Sequence, residues 1–199
     1  ILAISARVRL PDGFSPESPP STTPFATRVA AALRAAKKNG ATTSYDLNFR
    51  STLWSREDAQ KAMVEIMPYV DVVIGNEEDF ETMLGIKADN TDENYSKIDP
   101  MCYKKADEKV MEKYPNVQVA GNSLREVTSA CLNNWQCVMM TRNGCFVSRK
   151  HMNLEIYSFA SGLIWCLMEG KPELECIDFA AAYSAMCHTI RNDWNLVIT

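Results

Sequence analysis

From about Thr22 onward the chain alternates helix-like and strand-like runs, and that order restricts its fold more than any other feature. Val29, Ala32, Leu33 and Ala36 share one helix face at i, i+3, i+4 and i+7, and Lys37, Lys38, Asn39 and Gly40 supply an ending. Residues 41–47 (ATTSYDL) then predict a strand, residues 56–67 a second helix and residues 69–75 (YVDVVIG) a short apolar strand. Residues 76–85 (NEEDFETMLG) predict a helix with acids in its first turn, where the helix dipole favours negative charge. After an acidic, polar insertion at about 87–99, the pattern predicts a helix over 101–113 and a strand over 116–123. Two further strands, 135–140 and 145–150, flank the turn Arg142-Asn143-Gly144. The stretch 151–163 reads as the entrance to a helix packed on a sheet, and two helices rich in small residues close the chain. Strands alternating with helices of this length predict a mainly parallel sheet covered on both faces.

The 199 residues, 46% of them hydrophobic, suffice for one sizeable core, so a single domain over 22–199 is expected. The Pro/Ser-rich part at 11–24 reads as a loop, which leaves residues 1–21 as a linker or irregular segment. The net charge of -4, evenly mixed, lacks the basic face that a nucleic-acid surface needs. An anionic small molecule would have to be held by a local arginine or by backbone amides. Seven scattered cysteines with no C-x-x-C pair support neither zinc nor a disulfide framework, and reduced thiols in a cytoplasmic protein are expected. No segment reaches membrane-spanning length, and no basic region precedes an apolar run at the start. The chain opens without Met, as a fragment of a longer one would.

In sheets of this kind ligands sit beyond the carboxyl ends of the strands. Three spots meet that criterion. In DLNFR, Asp46, Asn48 and Arg50 alternate at a strand end, which predicts that all three point to one side. A guanidinium there either grips a carboxylate or phosphate with two parallel bonds or pairs internally with Asp46 or a helix end. In IGNEED, Asn76, Glu77, Glu78 and Asp79 open a helix directly after a buried strand. Such a set either faces a hydrated magnesium ion or caps the helix. The third spot, residues 122–130, places hydroxyls and Arg125 after the strand, as surface loops also do.

In this order, AAKKNGATTSYDLNFRSTLWS, PYVDVVIGNEEDFETMLGI, SLREVTSA and HTIRNDWNLV resemble the sugar kinases of the ribokinase (PfkB) family. The likeness runs from about Thr22 to the end of the sequence. It implies a ribokinase-like three-layer α/β/α sandwich with a mostly parallel sheet, lacking the family's N-terminal part. It also implies transfer of the γ-phosphoryl group of ATP, with Mg2+, to a hydroxyl of a sugar acid such as 2-keto-3-deoxygluconate. By the same resemblance Arg50, supported by Asp46 and Asn48, holds the substrate carboxylate. Asn76 to Asp79 match the Asn-x-x-Glu motif, with Asp in the last place, which organises magnesium through water. Ser123, Arg125 and Ser158 match positions at the nucleotide.

Two departures stand out. The family's N-terminal region, with its early strands and lid, has no counterpart, so an open sheet edge and self-association into homo-oligomers are expected. The family also carries a glycine-rich anion hole and a catalytic Asp just before Ser-Phe. Here Leu154, Glu155, Ile156 and Tyr157 precede Ser158 and Phe159, with Tyr157 at the Asp position and Glu155 the nearest substitute carboxylate. A positioned base contributes about 10²–10⁴-fold to a rate, and one lost donor to developing charge costs about 10²–10³-fold. A phenol with a pKa of about 10 is a poor base at neutral pH. Little turnover is therefore expected. His188, among small and apolar residues, reads as a packed or pocket-lining side chain, and the four tryptophans as core or interface anchors.

Overall fold

The computed structural model describes residues 2–3, 23–76, 78–88, 99–127, 133–154 and 159–187. Among them one seven-stranded sheet forms the middle layer, with β1 (Leu2–Ala3), β2 (Thr43–Asp46), β3 (Val72–Asn76) and β4 (Val119–Val127) side by side and parallel. From β4 the direction alternates. β5 (Asn133–Thr141) pairs antiparallel with β4, and β6 (Gly144–Val147) and β7 (His151–Leu154) both pair antiparallel with β5. The strands expected over 41–47, 69–75 and 116–123 are direct neighbours, as the alternation requires. The parallel half follows from the helical crossovers. The antiparallel half follows from the two-residue link Arg142–Asn143, which is too short to return a chain to a parallel start.

Helices cover both faces. On one side α1 (Thr23–Lys38), α2 (Arg56–Ile66), α3 (Asp79–Leu84) and α4 (Pro100–Lys113) pack Leu33, Met63, Phe80 and Val110 against Tyr45, Val73 and Ala120. On the other, α5 (Phe159–Met168) and α6 (Glu173–Cys187) pack Leu163, Cys166 and Ile177 against Val72, Ile74, Val119 and Met139. Neighbouring strand residues thus feed opposite cores, the period-2 signature of a sheet buried on both faces. α5 and α6 approach closely because position 162 is glycine: a Cβ there would lie 3.0 Å from the Ala180 Cα.

Local chemistry sets the helix starts. Ser55 accepts the Asp58 N–H at 3.1 Å at the head of α2, and Asp99 accepts the Met101 N–H at 2.9 Å before Pro100 opens α4. At the amino ends of the strands, the buried carboxylate of Asp71 accepts the Thr43 N–H at 2.9 Å and hydroxyl at 3.1 Å, and pairs with Lys37. That network ties α1, β2 and the entry to β3 at the end of the sheet away from the predicted site.

The residues His151–Leu154, expected as the entrance to a helix packed on a sheet, form β7, the last strand before α5. Their partner Trp135 is distant in sequence, so no local pattern reveals the pairing. Phe159, inside the same stretch, does open α5.

Candidate functional site

Strand register places the predicted residues. Asp46 lies opposite Ile74, and Asn76 lies opposite Ser123. Tyr45 belongs to the core under α1–α4, so Asp46 faces the opposite side of the sheet. Ile74 and Val119 belong to the core under α5 and α6, and Asn76, Ser123 and Arg125 follow them at even spacing on that same face. Asp46, Asn76 and Ser123 therefore occupy one face across the carboxyl ends of three adjacent parallel strands. The Ser123 hydroxyl reaches across to the Gly75 carbonyl at 3.4 Å. Arg125 is exposed two residues further along β4, opposite Trp135 in register.

The alternation expected through Arg50 does not hold. β2 ends at Asp46, Leu47 is buried and donates its N–H to the Ile74 carbonyl at 2.8 Å, and Asn48 turns into the left-handed region at φ 39°. Asparagine tolerates that conformation better than most residues, and it ends the two-residue period. Asp46, Asn48 and Arg50 accordingly do not share a strand face. Arg50 is presented by a turn, exposed, with its guanidinium donating to the Phe49 carbonyl at 2.8 Å.

Asp79 joins that turn to β3. One carboxylate oxygen accepts the Phe49 N–H at 2.9 Å, and the other accepts the Asn76 N–H at 3.0 Å. The Asn76 side-chain oxygen in turn accepts the N–H groups of Glu78 and Asp79, both at 2.9 Å. This reciprocal exchange satisfies donors at the start of α3, as a capping box does. Burial of Asp79 pushes its carboxyl above the usual carboxylate range; the two N–H bonds and the Arg50 charge pull against that, and Glu78 adds to it. The close approach depends on Gly75, where a Cβ would stand 3.0 Å from Phe80, 3.1 Å from Asp79 and 3.1 Å from Leu47.

These bonds bear on magnesium. Both Asp79 oxygens are engaged with backbone amides inside the protein, while Asn76 is exposed at the strand end. Among the described residues no three His, Cys, Asp or Glu gather as a metal cage. The donor set fits a hydrated ion approached through water, since Mg2+ keeps several waters and relies on substrate phosphates. It does not fit direct ligation by Asp79.

Glu155, Tyr157, Ser158, Glu77 and His188 lie outside the described residues, as do residues 89–98 of the insertion expected at about 87–99. A groove of about 360 Å³ between α1 and α2, lined by Thr27, Arg34, Val64 and Tyr69, sits on the outer surface of the helical layer, not at the strand ends. Among the described residues no helix is long and apolar enough to cross a membrane. Sequence reading missed Asp107, which is fully buried on α4 and bonded to Asn122. The signal was present: Tyr103, Ala106, Val110 and Met111 define a buried stripe, and Asp107 falls inside it.

The sequence profile of the pfkB family carbohydrate kinases matches residues 20–113. The chain is 42% identical over 57 residues to the 2-dehydro-3-deoxygalactonokinase of Haloferax volcanii, a stretch covering 29% of this chain and 18% of that one. Its fold superposes on the crystal structure of 2-dehydro-3-deoxygluconokinase from Thermotoga maritima with a TM-score of 0.77 and 35% identity, over 86% of this chain and 52% of that one. A pfkB family carbohydrate kinase from Listeria grayi shares the fold, with a TM-score of 0.74 and 24% identity over 88% of this chain and 53% of its own. This chain thus spans about half the length of these two solved structures.

Proposed function

We propose that the chain carries part of a pfkB carbohydrate kinase domain and forms the substrate- and nucleotide-facing portion of an ATP-dependent sugar-acid kinase. The substrate is a 2-keto-3-deoxygluconate-like sugar acid, the compound also called 2-dehydro-3-deoxygluconate. The supporting observation is the convergence of Asp46, Asn76 and Ser123 on one face at three adjacent strand ends, with the Arg50 turn anchored beside them by Asp79.

In this reading the exposed Arg50 guanidinium receives the sugar-acid carboxylate, a charge-assisted pairing suited to its planar fork. Asp46 and Asn48 accept or donate at neighbouring sugar hydroxyls. Ser123, Arg125 and Ser158 face the nucleotide, and Asn76 orders water around the Mg2+ that ATP brings, which supplies charge neutralisation on the phosphates. Asp79 holds the backbone on which Arg50 and Asn76 stand. The chain works in a reducing, cytoplasmic setting and self-associates through a sheet edge.

A second reading has its own support. Tyr157 occupies the place of the general base in the resembled motif, and no glycine lies between Lys150 and Ser158, which favours binding without turnover. Two experiments separate the readings. Titration calorimetry with 2-keto-3-deoxygluconate tests the site, and a coupled ADP-release assay tests the chemistry. The assay is run on the chain as it stands and on a variant with residues 154–157 replaced by Gly-Gly-Gly-Asp. Binding with turnover only in the replaced variant is the expected result. Absence of binding in both forms would overturn the site assignment.

A further inference from the structure

Asp107 of α4 and Asn122 of β4 are buried to 0% and 1% exposure, and the Asn122 amide donates to one Asp107 oxygen at 2.5 Å. Each side chain then keeps one buried atom without a partner: the second carboxyl oxygen of Asp107 and the amide oxygen of Asn122. Two orphaned acceptors in a protein interior, on side chains already joined by one hydrogen bond, would cost the full desolvation of both. A single proton on the free Asp107 oxygen turns one of them into a donor and answers both at once.

We propose that Asp107 is a carboxylic acid in the folded protein and closes a two-bond ring with Asn122, the amide N–H donating to one carboxyl oxygen while the carboxyl O–H donates to the amide oxygen. The surroundings are those a neutral acid needs. Among the described residues, Glu108 of α4 and the Cys145 thiol of β6 bear on Asp107, Lys104 acts on that thiol, and the apolar Val138 stands opposite Asn122 in register. Burial holds the Asp107 carboxyl well above its usual range, the Asn122 bond works against this, and Glu108 adds to it. No cation enters that balance. The pair fixes α4 to β4 at the residue before Ser123 and opposite Gly75. A neutral pair does so without placing a negative charge under the proposed phosphate-facing end, so Asp107 acts as a positioning residue. The pairing stands whatever the chain binds.

The test is Asp107→Asn, since an amide can form the same two-bond ring and cannot titrate. For the wild type the sign follows from a raised folded pKa: the contribution to stability is complete below the unfolded value of about 3.9 and is lost as pH rises toward and through the folded value. The folding constant of the wild type should therefore fall about tenfold per pH unit relative to Asp107→Asn between those two values. Urea denaturation at pH 5, 6, 7 and 8 reads this directly. Parallel pH profiles for the two proteins, or a variant destabilised equally at every pH, would overturn the proposal. A second measurement needs no variant stability: infrared spectra of the wild-type chain with isotope-labelled aspartate at neutral pH. A protonated carboxyl band is expected, and carboxylate bands alone would refute it.

Discussion

The carboxylate of Asp79 accepts the backbone N–H of Phe49 at 2.9 Å across a separation of 30 residues, and so couples the first turn of α3 to the turn that presents Arg50. Its other oxygen holds the Asn76 N–H. Asp79→Ala removes both acceptors. With hydrogen bonds to a charged group worth about 1.5–3 kcal/mol each, the variant should lose about 3 kcal/mol in urea denaturation. Amide exchange at residues 47–51 should quicken more than exchange in α6.

Arg50 itself should be dispensable for folding. It is exposed and bonded to the adjacent carbonyl, so Arg50→Ala should change stability by no more than about 0.5 kcal/mol, as surface substitutions do. Its affinity for 2-keto-3-deoxygluconate should fall by about 1.5–3 kcal/mol, the range for a charge-assisted bond. Equal calorimetric affinity in wild type and variant would remove Arg50 from the site.

Gly75→Ala tests the close packing behind Asn76. The added methyl meets Phe80, Asp79 and Leu47 at 3.0–3.1 Å, and overpacking of this kind costs about 1–3 kcal/mol. Because the displaced groups include Asp79, the variant should weaken sugar-acid binding as well as stability.

Asp71→Ala provides the contrast at the other end of the strands. It strips the Thr43 N–H and Lys37 of their shared acceptor, while the Thr43 hydroxyl keeps the Tyr69 carbonyl at 2.5 Å, and a loss of about 2–3 kcal/mol is expected, moderated by the partial exposure of Lys37. Ligand affinity at 25 °C, where the chain remains folded, should not change. Weakened binding there would mean that stability and site cannot be separated in this fold.

The order of elements was legible because each helix and each parallel strand carries its own periodicity. Val72, Val73 and Ile74 read as a buried strand from composition alone, and their neighbours in the sheet followed from the alternation. The site was legible as a set of residue types at strand ends and much less so as geometry. The spacing of Asp46, Asn48 and Arg50 imitates a strand, and only the positive φ at Asn48 shows that the strand has already ended. Asn76 and Asp79 read as capping or as magnesium chemistry. Their bonds to each other are local, but the Phe49 bond that gives Asp79 its second task is not. The pairing of β7 with β5 was hidden for the same reason, and Asp107 because an acid in a charged helix looks solvated until its apolar neighbours are counted.

β4 borders the parallel half on one side and the antiparallel half on the other, and this gives the two halves different folding speeds. Val127 meets Asn133 and Thr141 meets Gly144 after short loop closures, whereas Val72 must find Val119 across the whole of α3 and α4. Loop entropy favours the near contacts first, and parallel pairing is slow. The β4–β5–β6 meander should therefore appear early in refolding, with the β3-facing edge of β4 still bare and open to pairing with another chain. Asn76 and Ser123 stand on opposite sides of that seam. The face they share exists only once the seam has closed, which makes it a product of the last stage of folding and the first casualty of partial unfolding.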